Sequence, residues 1–161
     1  MLLLEWLETS SVAIMIAHSG WAFSSFLMVH LAAISVVIGM ISVVDLRLLG
    51  LASKHCAVTA LCREVLPWTW AAFALSVITG ALLFLGGPVK YVANFAFQMK
   101  FLLLGLVGIN MLVFQFITYR GVAGWDRDVP VPLAGRLAGA ISLTGWIAIV
   151  AYGRWTAYYN V

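Results

Sequence analysis

One histidine, His30, stands inside an apolar run from Trp21 to Val44 that otherwise has no ionisable side chain. It lies nine residues into that run, ~14 Å from the start at the α-helical rise. Imidazole is a common axial ligand of haem iron. Phe23, Phe26, Ile34, Val37 and Ile41 fall on the same helical face, and an imidazole set among aromatic and aliphatic side chains is the usual wall of a haem b pocket. A polar group at such depth usually faces the bundle interior. His30, with Phe26 beside it, is therefore a candidate contact for haem b or a quinone, and a candidate ligand of haem iron. The structural alternative is a histidine hydrogen-bonded to a neighbouring helix with no cofactor.

Two more polar residues interrupt a later apolar run. Lys100 either snorkels to the interface or turns inward to neutralise a carboxylate, a haem propionate or a quinone oxygen. Asn110, deeper in the same run, is expected to bind helix to helix, or to bond His30 and fix its tautomer. A second haem ligand is harder to find. His18 lies twelve residues before His30, ~18 Å away on a continuous helix; only a break at Gly20 would fold it back. Met99 or Met111 offers a sixth ligand, although methionines also serve packing alone. A five-coordinate site, or one shared across a dimer, stays open. Cys56 and Cys62 lack Cys-x-x-Cys spacing and are expected to be free thiols on a reducing side.

These side chains require a membrane to hold them. The chain is 64% hydrophobic and 9% charged, against roughly 25% charged in soluble domains. Nine Lys and Arg in 161 residues are too sparse for a nucleic-acid surface, so no nucleic-acid partner is expected. Four apolar runs, about 21–44, 68–86, 95–118 and 133–153, are each long enough to span a bilayer. They are continuous and about twice the length of an alternating barrel strand. A helix also satisfies its own backbone in lipid. The expected fold is all-α: an integral membrane four-helix bundle forming a single transmembrane domain over 1–161. Pro67 suits the first turn of the second helix, and Gly86-Gly87-Pro88 marks a turn.

The N-terminal segment 1–18 reads differently. Met1 to Ser11 contains Glu5 and Glu8 and no basic residue, unlike a cleavable signal. Leu2, Leu3, Leu4, Trp6 and Leu7 are expected to face acyl chains while the glutamates face water, as an interfacial amphipathic helix. Thr9, Ser10 and Ser11 are N-cap candidates for a second short helix from Val12 to His18. Loops 45–67 and 119–132, with the start of the fourth run, hold Arg47, Lys54, Arg63, Arg120, Arg127 and Arg136; the other side holds Lys90, Lys100 and Arg154. The positive-inside rule then places the loops in the cytoplasm and both termini on the outside or in the periplasm. Trp21, Trp68, Trp70, Tyr91, Trp125, Trp155, Tyr158 and Tyr159 are expected in the interfacial belts.

Small residues suggest how the spans meet. Ala22, Ser25, Ala32 and Gly39 form a stripe on the first span; Gly135, Gly139 and Ser142 form one on the fourth; Gly105 and Gly108 lighten the third. They serve packing within the chain, or a homo-oligomer seam or docking face for a larger complex. Asp45 and Arg47, two apart on a helix, should each reach a different neighbour, and a structural ion pair at the cytoplasmic rim is expected.

The stretch Met28-Val29-His30-Leu31, through Gly39, to Asp45-Leu46-Arg47-Leu48-Leu49-Gly50 resembles a family of uncharacterised bacterial four-span inner-membrane proteins. Leu4-Glu5-Trp6-Leu7-Glu8-Thr9-Ser10 looks like that family's opening, and Asn94-Phe95 through Lys100 to Asn110 like its third span. The similarity covers most of the chain and implies an architecture more than an activity. A first-span histidine with a later lysine is also distantly similar to the four-helix copper-resistance D and HemJ-like haem membrane proteins. That likeness implies His30 as a haem ligand and Lys100 as a pocket residue, although this chain has no second histidine within a span. Three functions follow as expectations. The first is a redox-associated membrane subunit passing electrons to or from a periplasmic partner. The second is a non-catalytic anchor of a larger complex. The third, a small-solute or metal transporter, lacks the usual intramembrane carboxylates and broken helices.

Overall fold

The computed structural model describes residues 2–158. Tyr159 and the side chains of Leu2 and Leu3, read above as membrane-facing, lie outside the described residues. Among the described residues there is no strand. Short helices α1 (Leu2–Glu8) and α2 (Ser11–His18) precede α3 (Gly20–Leu48) and α4 (Val58–Leu85). A short α5 (Pro88–Ala93), then α6 (Phe95–Val113) and α7 (Leu133–Trp155), complete the chain. Helix α6 continues through a π-helical turn at Phe114–Thr118 and a 3-10 segment at Tyr119–Gly124. Four stretches are long and apolar enough to cross a membrane: α3, α4, Phe95–Gly124 and α7. The molecule is an all-α, four-helix, multi-pass membrane protein.

Most differences from the sequence reading lie at helix ends. Helix α4 begins at Val58, so Pro67 sits inside it instead of opening it. A proline removes one amide and frees the carbonyl four residues earlier, here that of Arg63. Hydrocarbon ~30 Å thick takes ~20 residues, and counting back from Leu85 puts that carbonyl at the interface, where water reaches it. Helix α3 runs on to Leu48 and carries Asp45 and Arg47 within it. The turn at Gly86-Gly87-Pro88 leads into α5, with Pro88 in its first turn. Six residues with one lysine carry too short a pattern to separate such a helix from a turn.

Helix α3 packs along α4 and α7, and α7 along α6. Helices α4 and α6 meet chiefly through side chains, including a stacked Phe84–Phe97 pair with ring centroids 5.7 Å apart. Val37, Val107, Trp146 and Ile149 form one core in mid-bundle, and Leu48, Val58, Cys62, Trp125 and Val131 form another at the loop end. Trp125 is thus a core residue and not part of an aromatic belt, whereas Trp21, Trp68, Trp70, Trp155 and Tyr158 are exposed. Ser10 caps α2, its hydroxyl accepting from the Ala13 amide at 3.2 Å. Ala13 and Ile16 are buried where α2 leans on α3 and α4, and α1 leans on α5. Glu5, Trp6 and Glu8 remain exposed.

Buried polar bonds join the two loops at the opposite end. Arg47 is 3% exposed; its Nε donates to the Cys56 carbonyl at 2.9 Å and its Nη2 to the Asp126 carbonyl at 3.1 Å. The Asp45 carboxyl turns the other way, toward Ser142 of α7, while its backbone meets Gly139. The expected rim ion pair therefore does not form: among the described residues neither Asp45 nor Arg47 has an oppositely charged partner within 4.0 Å. The two-residue spacing does send them to different neighbours, but Arg47 is satisfied by carbonyls.

Asp126 completes this junction. Ala57, at the N-cap of α4, has no side chain to cap with. Asp126 supplies the cap from the other loop: Oδ1 accepts from the Thr59 amide at 2.8 Å and Oδ2 from the Thr59 hydroxyl at 2.7 Å. Its carbonyl takes the Val58 amide at 3.0 Å. The Thr59 backbone and hydroxyl bonds hold the Asp126 carboxyl below its usual pKa. A depressed folded-state pKa means the ionised cap stabilises above the ordinary carboxylate value, and that stability is lost as pH falls through the folded value. Asp126→Ala is expected to lower stability at pH 7 by about 1 kcal/mol. Unfolding midpoints measured from pH 7 to pH 3 should converge for wild type and variant; parallel curves would remove the cap from the account.

Candidate functional site

Helix α3 presents His30 to α4, not to lipid. The imidazole is half-buried, and its Nδ1 lies 2.9 Å from the Ser76 carbonyl and 3.2 Å from Thr79 Oγ1. The Thr79 hydroxyl donates to the Leu75 carbonyl at 2.8 Å, so its oxygen is left to accept. A carbonyl can only accept, which places the proton on Nδ1 and the free lone pair on Nε2. The ring fits because residue 80 is glycine: a Cβ there would stand 3.0 Å from His30 Cε1. Ser76, Thr79 and Gly80 recur at helical spacing on α4 and form a socket for one imidazole. That small polar triplet was the signal in the sequence that went unread.

Lys100 takes the inward course. Its stem runs past α7, with Cδ, Cε and Nζ each 3.9 Å from where a Cβ on Gly153 would be. It lies near enough for its charge to act on His30. Among the described residues it has neither a carboxylate within 4.0 Å nor a hydrogen-bond acceptor. One layer deeper, Trp146 is 7% exposed, and its buried indole N–H has no partner. It belongs to the mid-bundle core with Val37, Val107 and Ile149, against which Ala72, Phe73, Leu103 and Leu104 pack. Phe84, Tyr91, Phe97 and Phe101, the last next to Lys100 in the chain, make a run of ring contacts with centroids 4.8 to 6.3 Å apart.

The other expected contacts are not brought here. His18 is exposed, and its Nδ1 is bonded to the Ile14 carbonyl of its own helix at 3.0 Å. The chain does break before α3, at Ser19 (φ −100°, ψ 98°), but the bend leaves His18 facing outward. Asn110 donates to the Ala138 carbonyl of α7 at 3.0 Å; it joins two helices and does not touch His30. Phe26 is half-buried one turn before His30. Met111 is exposed. His55 is exposed at the loop end, within 3.2 Å of Asp128, and Cys56 and Cys62 are free. Among the described residues no three His, Cys, Asp or Glu side chains gather as a metal site.

The arrangement can therefore bind a ligand that offers a hydrogen to Nε2 and an oxygen acceptor to an ammonium. It can also give a metal one imidazole in a fixed orientation. The chain matches no protein-family model, no curated protein and no solved structure.

Proposed function

We propose that this chain is a redox-associated subunit of the bacterial inner membrane, and that its His30–Lys100 level contacts a quinone. The observation that supports this reading is a pair of polar groups, His30 Nε2 and Lys100 Nζ, with no hydrogen-bond partner in the protein among the described residues. Lys100 lies beside Gly153 of α7 and His30 beside Gly80 of α4. A cation within a membrane span is by default a functional one. A quinone supplies two-electron, two-proton chemistry when bound. Here Nε2 would accept a hydrogen bond from one hydroxyl of a quinol, Ser76 holds the tautomer that permits it, and Lys100 would donate to the other oxygen of the same ring. The rings from Phe84 to Phe101 give a flat head group an apolar wall.

Haem b is the second reading, and one observation favours it. An Nδ1–H tied to a backbone carbonyl is the usual setting of a metal-ligating histidine. The residues fit one axial position only, because His18 and His55 are elsewhere; a five-coordinate site or one shared between two copies remains. The excess of basic residues around loops 45–67 and 119–132 supports a cytoplasmic side for those loops, with the termini and any electron-transfer partner on the periplasmic side.

The test is purification in mild detergent, followed by solvent extraction with chromatography and a reduced-minus-oxidised visible spectrum. Quinone at near-stoichiometric yield is expected, reduced about tenfold in His30→Ala and in Lys100→Gln, as for loss of one charge-assisted or buried hydrogen bond. A Soret band lost in His30→Ala would assign haem instead. Neither signal, with a protein partner co-purifying, would make the chain a membrane anchor.

A further inference from the structure

We propose that the cavity between the two loops, at the opposite end from His30, holds the phosphate head group of an anionic phospholipid. The cavity has a volume of about 380 Å³ and is lined by Arg47, Lys54, His55, Asp128 and Arg136, with Val129 to Val131 forming one wall. Three permanent cations thus face one carboxylate. That carboxylate is already engaged, by His55 Nδ1 at 3.2 Å and by Arg127 Nε at 3.9 Å. Lys54 and Arg136 have no acidic partner within 4.0 Å among the described residues. Arg47 is buried and spends Nε and Nη2 on carbonyls, which leaves Nη1 to donate.

Two further features point to an anion with a tail. Helix α7 begins at Leu133 beside the cavity, and its N-cap, Pro132, gives no side-chain cap to the first amides. Uncapped amides and the helix dipole favour negative charge there. One or two residues along the chain from the lining residues Gly50, Val131 and Arg136, the apolar side chains of Leu51, Leu133 and Leu137 are exposed, as is Val129 of the wall itself. A free phosphate would leave them without cover, whereas acyl chains running down α7 cover Leu133 and Leu137. Basic pockets between membrane helices bind lipid head groups by the same combination of charge and depth. Phosphate is the shared chemistry; the apolar rim selects the lipid as its source.

The full chain in zwitterionic detergent tests this by native mass spectrometry and thermal unfolding. Phosphatidylglycerol, phosphatidylcholine and inorganic phosphate are titrated separately against wild type and Lys54→Gln/Arg136→Gln. Phosphatidylglycerol is expected to stay bound and raise the midpoint, phosphatidylcholine to do neither, and the double variant to bind roughly thirty-fold more weakly, as for two interfacial cations. Arg63→Gln, off the cavity, should bind as wild type. If the double variant does not fold, Lys54→Gln alone should lose roughly five-fold. Equal binding of both lipids, an unchanged affinity in the cation variants, or inorganic phosphate matching the lipid would each overturn the proposal. None of these outcomes bears on the His30 site.

Discussion

Arg47→Ala is expected to destabilise the fold by about 3 kcal/mol, the scale for removing a buried charged donor from two acceptors. The guanidinium is the only side chain among the described residues whose hydrogen bonds span from α3 to both loops. Without it the Cys56 carbonyl loses its donor and the Asp126 carbonyl keeps only the Val58 amide. The consequence propagates, because Asp126 also caps α4 through Thr59. Arg127, which donates to the His55 carbonyl at 2.9 Å, is exposed and cannot replace a buried fork. Arg47→Lys keeps the charge but offers one compact ammonium for two separated carbonyls, so most of the loss should remain. Denaturant-titrated unfolding in detergent measures both variants. A change within about 0.5 kcal/mol for Arg47→Ala, the range of ordinary surface substitutions, would show that the loops are held by something else.

The second large effect is expected at Gly139. A Cβ there would stand 3.1 Å from the Asp45 carbonyl oxygen and 3.1 Å from Leu48 Cβ. The first of these is backbone, which cannot swing aside as a flexible side chain does. Gly139→Leu must push α7 away from α3, and overpacking of a close helix contact costs about 3 kcal/mol or more. Gly108→Leu is the matched control: nothing lies within 4 Å of its Cβ position, and its cost should stay within about 0.5 kcal/mol. Thermal midpoints and size-exclusion profiles of the two variants separate the cases. A folded, monodisperse Gly139→Leu would mean that the α3–α7 contact is slack. Monomerisation by Gly108→Leu, with the fold intact, would place an oligomer seam on the open face of α6.

How much of this was legible in advance differs by residue. The number of spans, their helical nature and the depth of His30 follow from the lengths of four apolar runs, because hydrocarbon imposes the same requirement on each segment taken alone. The interior placement of His30 follows similarly from the cost of a polar group in lipid. Ser10 as a cap is local too, since it acts three residues away. Pro67 misled because proline reports a missing amide, not whether water stands near to replace its bond. Trp125 misled because an aromatic residue at a span end has the same composition whether it faces the head groups or fills the gap between Leu48 and Val58.

The chain alone decided its solvent, its helices and the level at which its polar groups lie; these depend on hydropathy summed over neighbouring residues. Tertiary structure alone decided which helix receives His30, that Lys100 turns toward Gly153, that Asn110 serves Ala138, and that Asp126 caps a helix beginning 68 positions earlier. Each of those choices depends on the rotation and approach of whole helices. Close contact between small residues, rather than any pattern along one segment, sets that rotation.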